Sequence, residues 1–264
     1  MAWKHVEIER RDRIAVVRFE RGERLNPLSL ALLGELTEAA RSLEDDPGLS
    51  AVVLAGASDC FTAGMDLRDP AVVEGAARPL GERRRLLAIG PKACRAWEEV
   101  EAVTIVAVEG FCLGGGVALA AACDFRVMGA SAQFRVPELR LGMNMGWQSL
   151  PRLVRLVGPA RAKRMVIMAE PVGADEALAW GLADAVAPDG GVLDAALDMA
   201  GKIAAMPPLP VKMTKQSINA AANALNHAAS YMDGDQFALC QTSADHAEGL
   251  AAFLEKRPPK FTGN

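Results

Sequence analysis

Nowhere in its 264 residues does the chain carry a run of about 18 apolar residues free of charge, so no segment reads as a membrane-spanning helix. Neither sign of charge dominates. Lysine and arginine total 29 against 33 aspartates and glutamates, a formal net charge of −4. That balance argues against a general surface for nucleic acid or anionic membrane, while leaving room for a local basic site that takes a small polyanion. The five cysteines, Cys60, Cys94, Cys112, Cys123 and Cys240, show no C-x-x-C and no spacing to histidine. They read as free thiols in a reducing compartment. His5, His227 and His246 are equally scattered, so neither a metal site nor a triad is expected of them. The opening "MAWKHVEIERRDRIAVVRF" alternates apolar and polar residues and lacks the apolar centre of a signal peptide, so the expected location is the cytoplasm.

What is present suits a globular α/β protein. Hydrophobic residues make up 51% and charged residues 23% of the chain, enough to bury a sizeable core. "HVEIER" and "RIAVVRF" flank a turn at Asp12 and predict a hairpin. Leucines at helical spacing (Leu32, Leu33, Leu36) predict a helix over 28–43. "AVVLAG" (51–56) and "TIVAVEG" (104–110) are short apolar runs rich in β-branched residues and closed by glycine, as expected of parallel strands buried on both faces. Between them "GERRRLLAIGPKACRAWEEVE" predicts one charged amphipathic helix, approached through Gly75, Pro79 and Gly81. "DFRVMG" and "AQFRVPE" add strand material. From Pro159 onward the pattern turns helical, ending in two longer helices from about Val211. The expected division is a core over 1–195 and a helical region over 196–264.

One arrangement occurs twice: an apolar strand, a loop of small residues, then a helix. The first strand leads into "CFTAGMDL" (60–67), the second into "CLGGGVAL" (112–119). Glycines in series cost roughly 0.5–1 kcal/mol each relative to alanine, so they call for a compensating role. Backbone N–H groups at such loops are unpaired, and glycine lets a ligand approach them closely. Two such loops on neighbouring parallel strands could aim one N–H apiece, from Met65 and Gly115, at a single oxygen. That is the geometry of an oxyanion hole. "GGGVAL" lacks the G-x-G-x-x-G spacing, and no ribose-binding acid follows at the expected distance, which disfavours a dinucleotide site.

Six segments, in order along the chain, carry a resemblance: "RLNPLSLALLGEL", "CFTAGMDL", "AVEGFCLGGGVALAAACDFRV", "AQFRVPELRLGMNMG", "EALAWGLADAV" and "EGLAAFLEKRPPKFTG". With these the sequence resembles the crotonase superfamily, the enoyl-CoA hydratase/isomerase family. The resemblance implies a spiral of ββα repeats with a C-terminal helical region used in trimer assembly, and a homotrimer or dimer of trimers. It also implies an acyl-CoA thioester as substrate. Coenzyme A would enter as part of that substrate, with no separate cofactor, no metal, no nucleic acid and no membrane partner.

The family's two oxyanion positions fall on Met65 and Gly115, the pair already reached from the loops. Of the two glutamates used by family hydratases, the second falls on Glu138 and the first on Ala118, which carries no proton. A single carboxylate suffices to move a double bond between the 3- and 2-positions. Hydroxycinnamoyl-CoA hydratase-lyases of the family also keep only that glutamate and share the "TAGMDL" wording, so hydration and lyase chemistry stay open. A protein that binds acyl-CoA without turnover is a third possibility. In "GMNMGWQSL", where many hydratases carry a proline and a glycine pair, Met145 and Trp147 are expected to reshape the acyl pocket. For coenzyme A the resemblance implies Arg24, Leu25, Pro27, Ala63 and Leu67, with Phe253 and Lys256 contributed by a neighbouring subunit. By charge alone, Arg24 and the Arg83–Arg85 run are candidate phosphate partners. Asp66 reads as a helix cap, Asp124 as structural, and Cys112 and Cys123 as small core residues.

Overall fold

A computed structural model describes residues 3–44, 46–75 and 77–264. The first half runs β1 (Val6–Arg11), β2 (Ile14–Phe19), α1 (Leu30–Glu44), β3 (Ala51–Ala55), α2 (Pro70–Gly75), α3 (Leu80–Leu87), α4 (Ile89–Glu99), β4 (Val103–Val108), β5 (Phe111–Leu113) and α5 (Gly115–Ala122). Next come β6 (Phe125–Gly129), β7 (Gln133–Arg135), a 3₁₀ helix (Glu138–Leu141), α6 (Ser149–Ile167), β8 (Val172–Gly173), α7 (Ala174–Trp180) and β9 (Ala185–Ala187). Five helices close the chain: α8 (Val192–Ala204), α9 (Pro208–Asn223), α10 (Asn226–Ser230), α11 (Asp233–Cys240) and α12 (Ala244–Glu255).

Six strands form one sheet in the order β1-β2-β3-β4-β6-β9, with only β1 and β2 antiparallel. Period-two alternation divides its side chains between two cores. Val17, Val52, Leu54 and Val106 face α1, α4 and α5, whereas Val16, Val53, Ile105 and Val127 face Val192, Ala196 and Ala200 of α8. Burial on both faces explains the unbroken apolar runs at β3 and β4. After β4 and β6 the chain turns into a short strand of a second sheet, β5 and β7, and β8 completes that sheet. After β3 the equivalent rung is reduced to single bridges, Thr62 with Cys112 and Met65 with Leu28. The repeated strand–rung–helix unit is a spiral of the ββα kind that the resemblance implies.

Three expectations change. The helix spanning 81–101 is two, broken at Ala88, because Pro91 in the first turn of α4 has no N–H to continue the ladder from α3. Helix α6 begins ten residues ahead of Pro159, at Ser149, and Gly158 (φ 77°) kinks it where the sequence suggested a start. Beyond Val211 the two long helices become α9 and three shorter ones. The division expected at residue 195 falls inside α8, whose apolar face is buried against the sheet. Helix α12 packs on the 3₁₀ helix of the same chain. No helix among the described residues is long and apolar enough to cross a membrane.

Candidate active site

The loop after β3 is held on both flanks by backbone hydrogen bonds. Ala63 N donates to Leu25 O (2.8 Å), Leu28 N to Gly64 O (2.8 Å) and Asp66 N to Leu28 O (2.9 Å). On the other flank Thr62 N donates to Phe111 O (2.9 Å) and Leu113 N to Thr62 O (3.0 Å). Asn26, buried, locks the outer stretch by donating from Nδ2 to Phe19 O and Phe61 O, both at 3.0 Å. Every neighbour is thus tied, while the N–H of Met65 has no acceptor among the described residues. The N–H of Gly115, first residue of α5, has none either.

The two loops touch. A Cβ added to Gly64 (φ +84°) would come 2.6 Å from Leu113 O and 3.4 Å from Gly115 N. At Gly114 (φ +50°) an added Cβ would meet Glu138 Oε1 at 2.6 Å, and at Gly115 it would meet the Trp147 ring at 2.6 Å. So the glycines do more than expose amides: they seat the Glu138 carboxylate and the Trp147 indole against α5. Trp147 is also packed against Gly90 of α4.

A cavity of about 350 Å³ gathers Met65, Gly115, Glu138, Leu67, Met145 and Trp147. Glu138 opens the 3₁₀ helix, and its Oε2 is shut from solvent with no hydrogen-bond partner. Burial pushes its pKa up from 4.5 to about 7, opposed only by its own backbone N–H. Trp147 and Gln148 both take left-handed backbone conformations (φ 60° and 57°). That strained turn is held by Arg152, which donates to both carbonyls and to Glu98, and by Asp233, which accepts from Gln148 N at 3.0 Å. A buried acid whose pKa sits near neutrality, beside two unpaired amides, can pass a proton to a carbon whose developing charge those amides stabilise.

The other expected residues lie as follows. Ala118 is fully buried and does not line the cavity. Arg24 is exposed, and Leu25 and Pro27 lie on the stretch that pairs with the 63–66 loop. None of these three, nor Ala63, lines the cavity. Phe253 is 60% exposed and Lys256 caps α12 in a left-handed conformation, both away from this cavity. Asp66 pairs with Arg21 (2.6 Å) and closes a turn onto Arg68 N; the carboxylate at the start of α2 is Asp69, which accepts from Ala71 N and Leu30 N. Asp124 is structural as expected, bonded to Thr104 and Lys215. Of the arginine run, Arg83 lines the cavity and donates to Gln241 Oε1 (3.1 Å), and Arg84 pairs with Asp235. Arg85 lines a second cavity of about 520 Å³ together with Lys92 and Arg95.

The sequence reading missed Asp233, Phe237, His246 and Leu250, which α11 and α12 bring to the cavity wall. Only chain folding makes them neighbours of Glu138. No spacing pattern announces them.

Fold and site together define a crotonase-type α/β protein. The family model for enoyl-CoA hydratase/isomerase matches residues 9–264, and the chain belongs to that family. It is 35% identical to a crotonyl-CoA hydratase of Syntrophomonas wolfei, covering 99% of each chain. Against a short-chain-enoyl-CoA hydratase of Clostridium acetobutylicum it is 34% identical over 97% of each. The crystal structure of an enoyl-CoA hydratase/isomerase from Pseudoalteromonas atlantica superposes with a TM-score of 0.85 at 28% identity, covering 98% of this chain and all of the other.

Proposed function

We propose that the chain is an acyl-CoA enzyme of the enoyl-CoA hydratase/isomerase type, with Glu138 as its acid/base and the Met65 and Gly115 N–H groups as its oxyanion hole. The observation that carries this reading is the enclosed Glu138 carboxyl, pKa about 7, sharing one cavity with both unpaired amides. A thioester oxygen seated between the amides gains charge as an enolate forms, and each donor in such a site is worth about 3–4 kcal/mol of barrier. Glu138 then adds a proton to C2 as water bonds to C3 of a 2-enoyl-CoA, or removes one from C2 of a 3-enoyl- or 3-hydroxyacyl-CoA. The names of the relatives at 34–35% identity favour hydration of a short acyl chain, and Trp147 keeps the cavity small in keeping with that. This chemistry moves only protons and water and calls for no further cofactor.

Coenzyme A would run along the Arg24–Pro27 stretch past Ala63 and Leu67. Phe253 and Lys256 would reach the nucleotide from a neighbouring copy. Oligomer formation is supported by apolar side chains left exposed on the last helices, including Leu209, Met213, Ile218 and Phe253. Substituting Glu138→Gln should lower turnover of 2-enoyl-CoA by about 10²–10⁴ while leaving coenzyme A binding intact. Retained turnover would overturn the assignment. A panel of 2-enoyl-, 3-enoyl- and hydroxycinnamoyl-CoA separates hydratase, isomerase and lyase, and binding without turnover on all three would mark a non-catalytic protein.

A further inference from the structure

Adding water across a double bond moves two protons, one off the water and one onto C2, and Ala118 leaves Glu138 without the second carboxylate that would share this work. The cavity holds another group suited to it. His246, on α12, lines the same space as Glu138, Met65 and Gly115. Its ring Nδ1 stands 2.9 Å from Leu141 O, the last residue of the 3₁₀ helix that Glu138 begins. A carbonyl oxygen only accepts, so Nδ1 carries the hydrogen and neutral His246 keeps its lone pair on Nε2.

The ring is held from behind. Ser243 caps α12 by accepting from His246 N (3.0 Å). An added Cβ on Gly142 (φ +67°) would meet His246 Cα at 2.6 Å, and one on Gly249 would meet Leu141 C at 2.7 Å, so α12 lies directly on the backbone of the 3₁₀ helix. Asp245 ties the chain end back over the start of α12 through Thr262 N (2.7 Å) and Gly263 N (2.8 Å). The other charged groups of the cavity are Arg83 on α3 and Asp233 on α11. Arg83 bonds Gln241 and Asp233 bonds Gln148, which leaves His246 Nε2 without a partner among the described residues.

The geometry points to His246 as the second acid/base of this site, completing with Glu138 the pair that hydration of an enoyl thioester needs. The inference rests on the function proposed above. Neutral His246 takes a proton from water at Nε2 as the water oxygen bonds to C3. The π electrons move onto C2 and the thioester, and protonated Glu138 delivers its proton to C2. Imidazolium then returns a proton to the Glu138 carboxylate, directly or through solvent, which restores both groups.

His246→Asn tests this, because an asparagine amide can reproduce the Nδ1 donor to Leu141 O but has no base at the Nε2 position. Two rates are read on the same samples: hydration of a short 2-enoyl-CoA, and exchange of the C2 protons of the saturated acyl-CoA with deuterated water, which asks only for Glu138 and the amide pair. The variant is expected to lose about 10²-fold in hydration kcat. It should also lose one limb of the pH–rate profile, with deuterium exchange within about threefold of the parent and an unchanged Tm. Hydration within about threefold of the parent would overturn the inference, and so would equal losses in both rates, which would make the ring a prop for Glu138. A parent protein that catalyses neither reaction would refute the Glu138 reading itself, and this inference with it.

Discussion

On one side of the cavity the Thr62–Met65 rung and the turn into α5 are fixed by backbone hydrogen bonds on both flanks; on the other, α3 leans on α11 through side chains, and α12 lies on the 3₁₀ helix. No residue of α3 is buried, and α11 and α12 bury two residues each. The links between α3 and α11 are the half-buried Arg83–Gln241 bond and an exposed pair, Arg84 with Asp235, of a kind worth under about 1 kcal/mol. On the proposed function, the amides that meet a reacting oxygen sit on the fixed side. The helical side, with its apolar residues and easier movement, is the side that can shape and cover an acyl group.

The sharpest way to break that contrast is Gly64→Ala. The new Cβ would press on the Leu113 carbonyl, 2.6 Å from its oxygen, forcing the two loops apart, and the positive φ adds strain. Turnover should fall by about 10²-fold or more, as when one oxyanion donor is lost. Steady-state kinetics with a melting curve would check it, and full activity at an unchanged Tm would show that the fixed wall has more play than its hydrogen bonds imply.

A second test reads the cost of enclosing Glu138 beside that wall. Glu138 has a higher pKa folded (about 7) than its ordinary 4.5, so ionising it favours unfolding. The penalty is absent below pH 4.5, grows up to pH 7 and is complete above it. At about 1.4 kcal/mol per pKa unit, Glu138→Gln should stabilise the protein by up to about 3 kcal/mol at pH 8 and by nothing at pH 4. Urea unfolding at the two pH values measures the difference.

The smallest effect is expected where the walls meet. Trp147→Ala should enlarge the cavity between Gly90 and Gly115 and raise the preference for a bulkier over a short enoyl chain by about tenfold in kcat/KM. An unchanged preference would mean that the helical wall alone decides substrate size.

These two walls differed as much in legibility as in construction. β3 and β4 could be read from sequence because strands buried on both faces need uninterrupted apolar residues, and the donor loops because glycine is tolerated there only for a reason. Glu138 emerged from a resemblance spread over the whole chain. The helical wall left no comparable mark. His246 is 105 positions from the carbonyl that orients it, and its approach depends on Gly142 and Gly249 letting two backbones touch, a condition no periodicity records. Likewise Gly158 followed by Pro159 carries the local signals of a helix start, and only packing against α5 reveals that a helix already precedes it. The role of the triglycine was half visible: the need for bare backbone could be inferred, but the indole and carboxylate that fill the vacated space could not.

Because the groups offered at 65 and 115 belong to the polypeptide and not to any side chain, swapping the methionine for most other amino acids leaves the hydrogen in place. On the proposed function, tolerance therefore runs opposite to intuition: the position that carries the donor can drift, whereas its neighbour Gly64, where a Cβ would strike Leu113 O, cannot. A library randomised at both codons would recover many residues at 65 and glycine almost alone at 64.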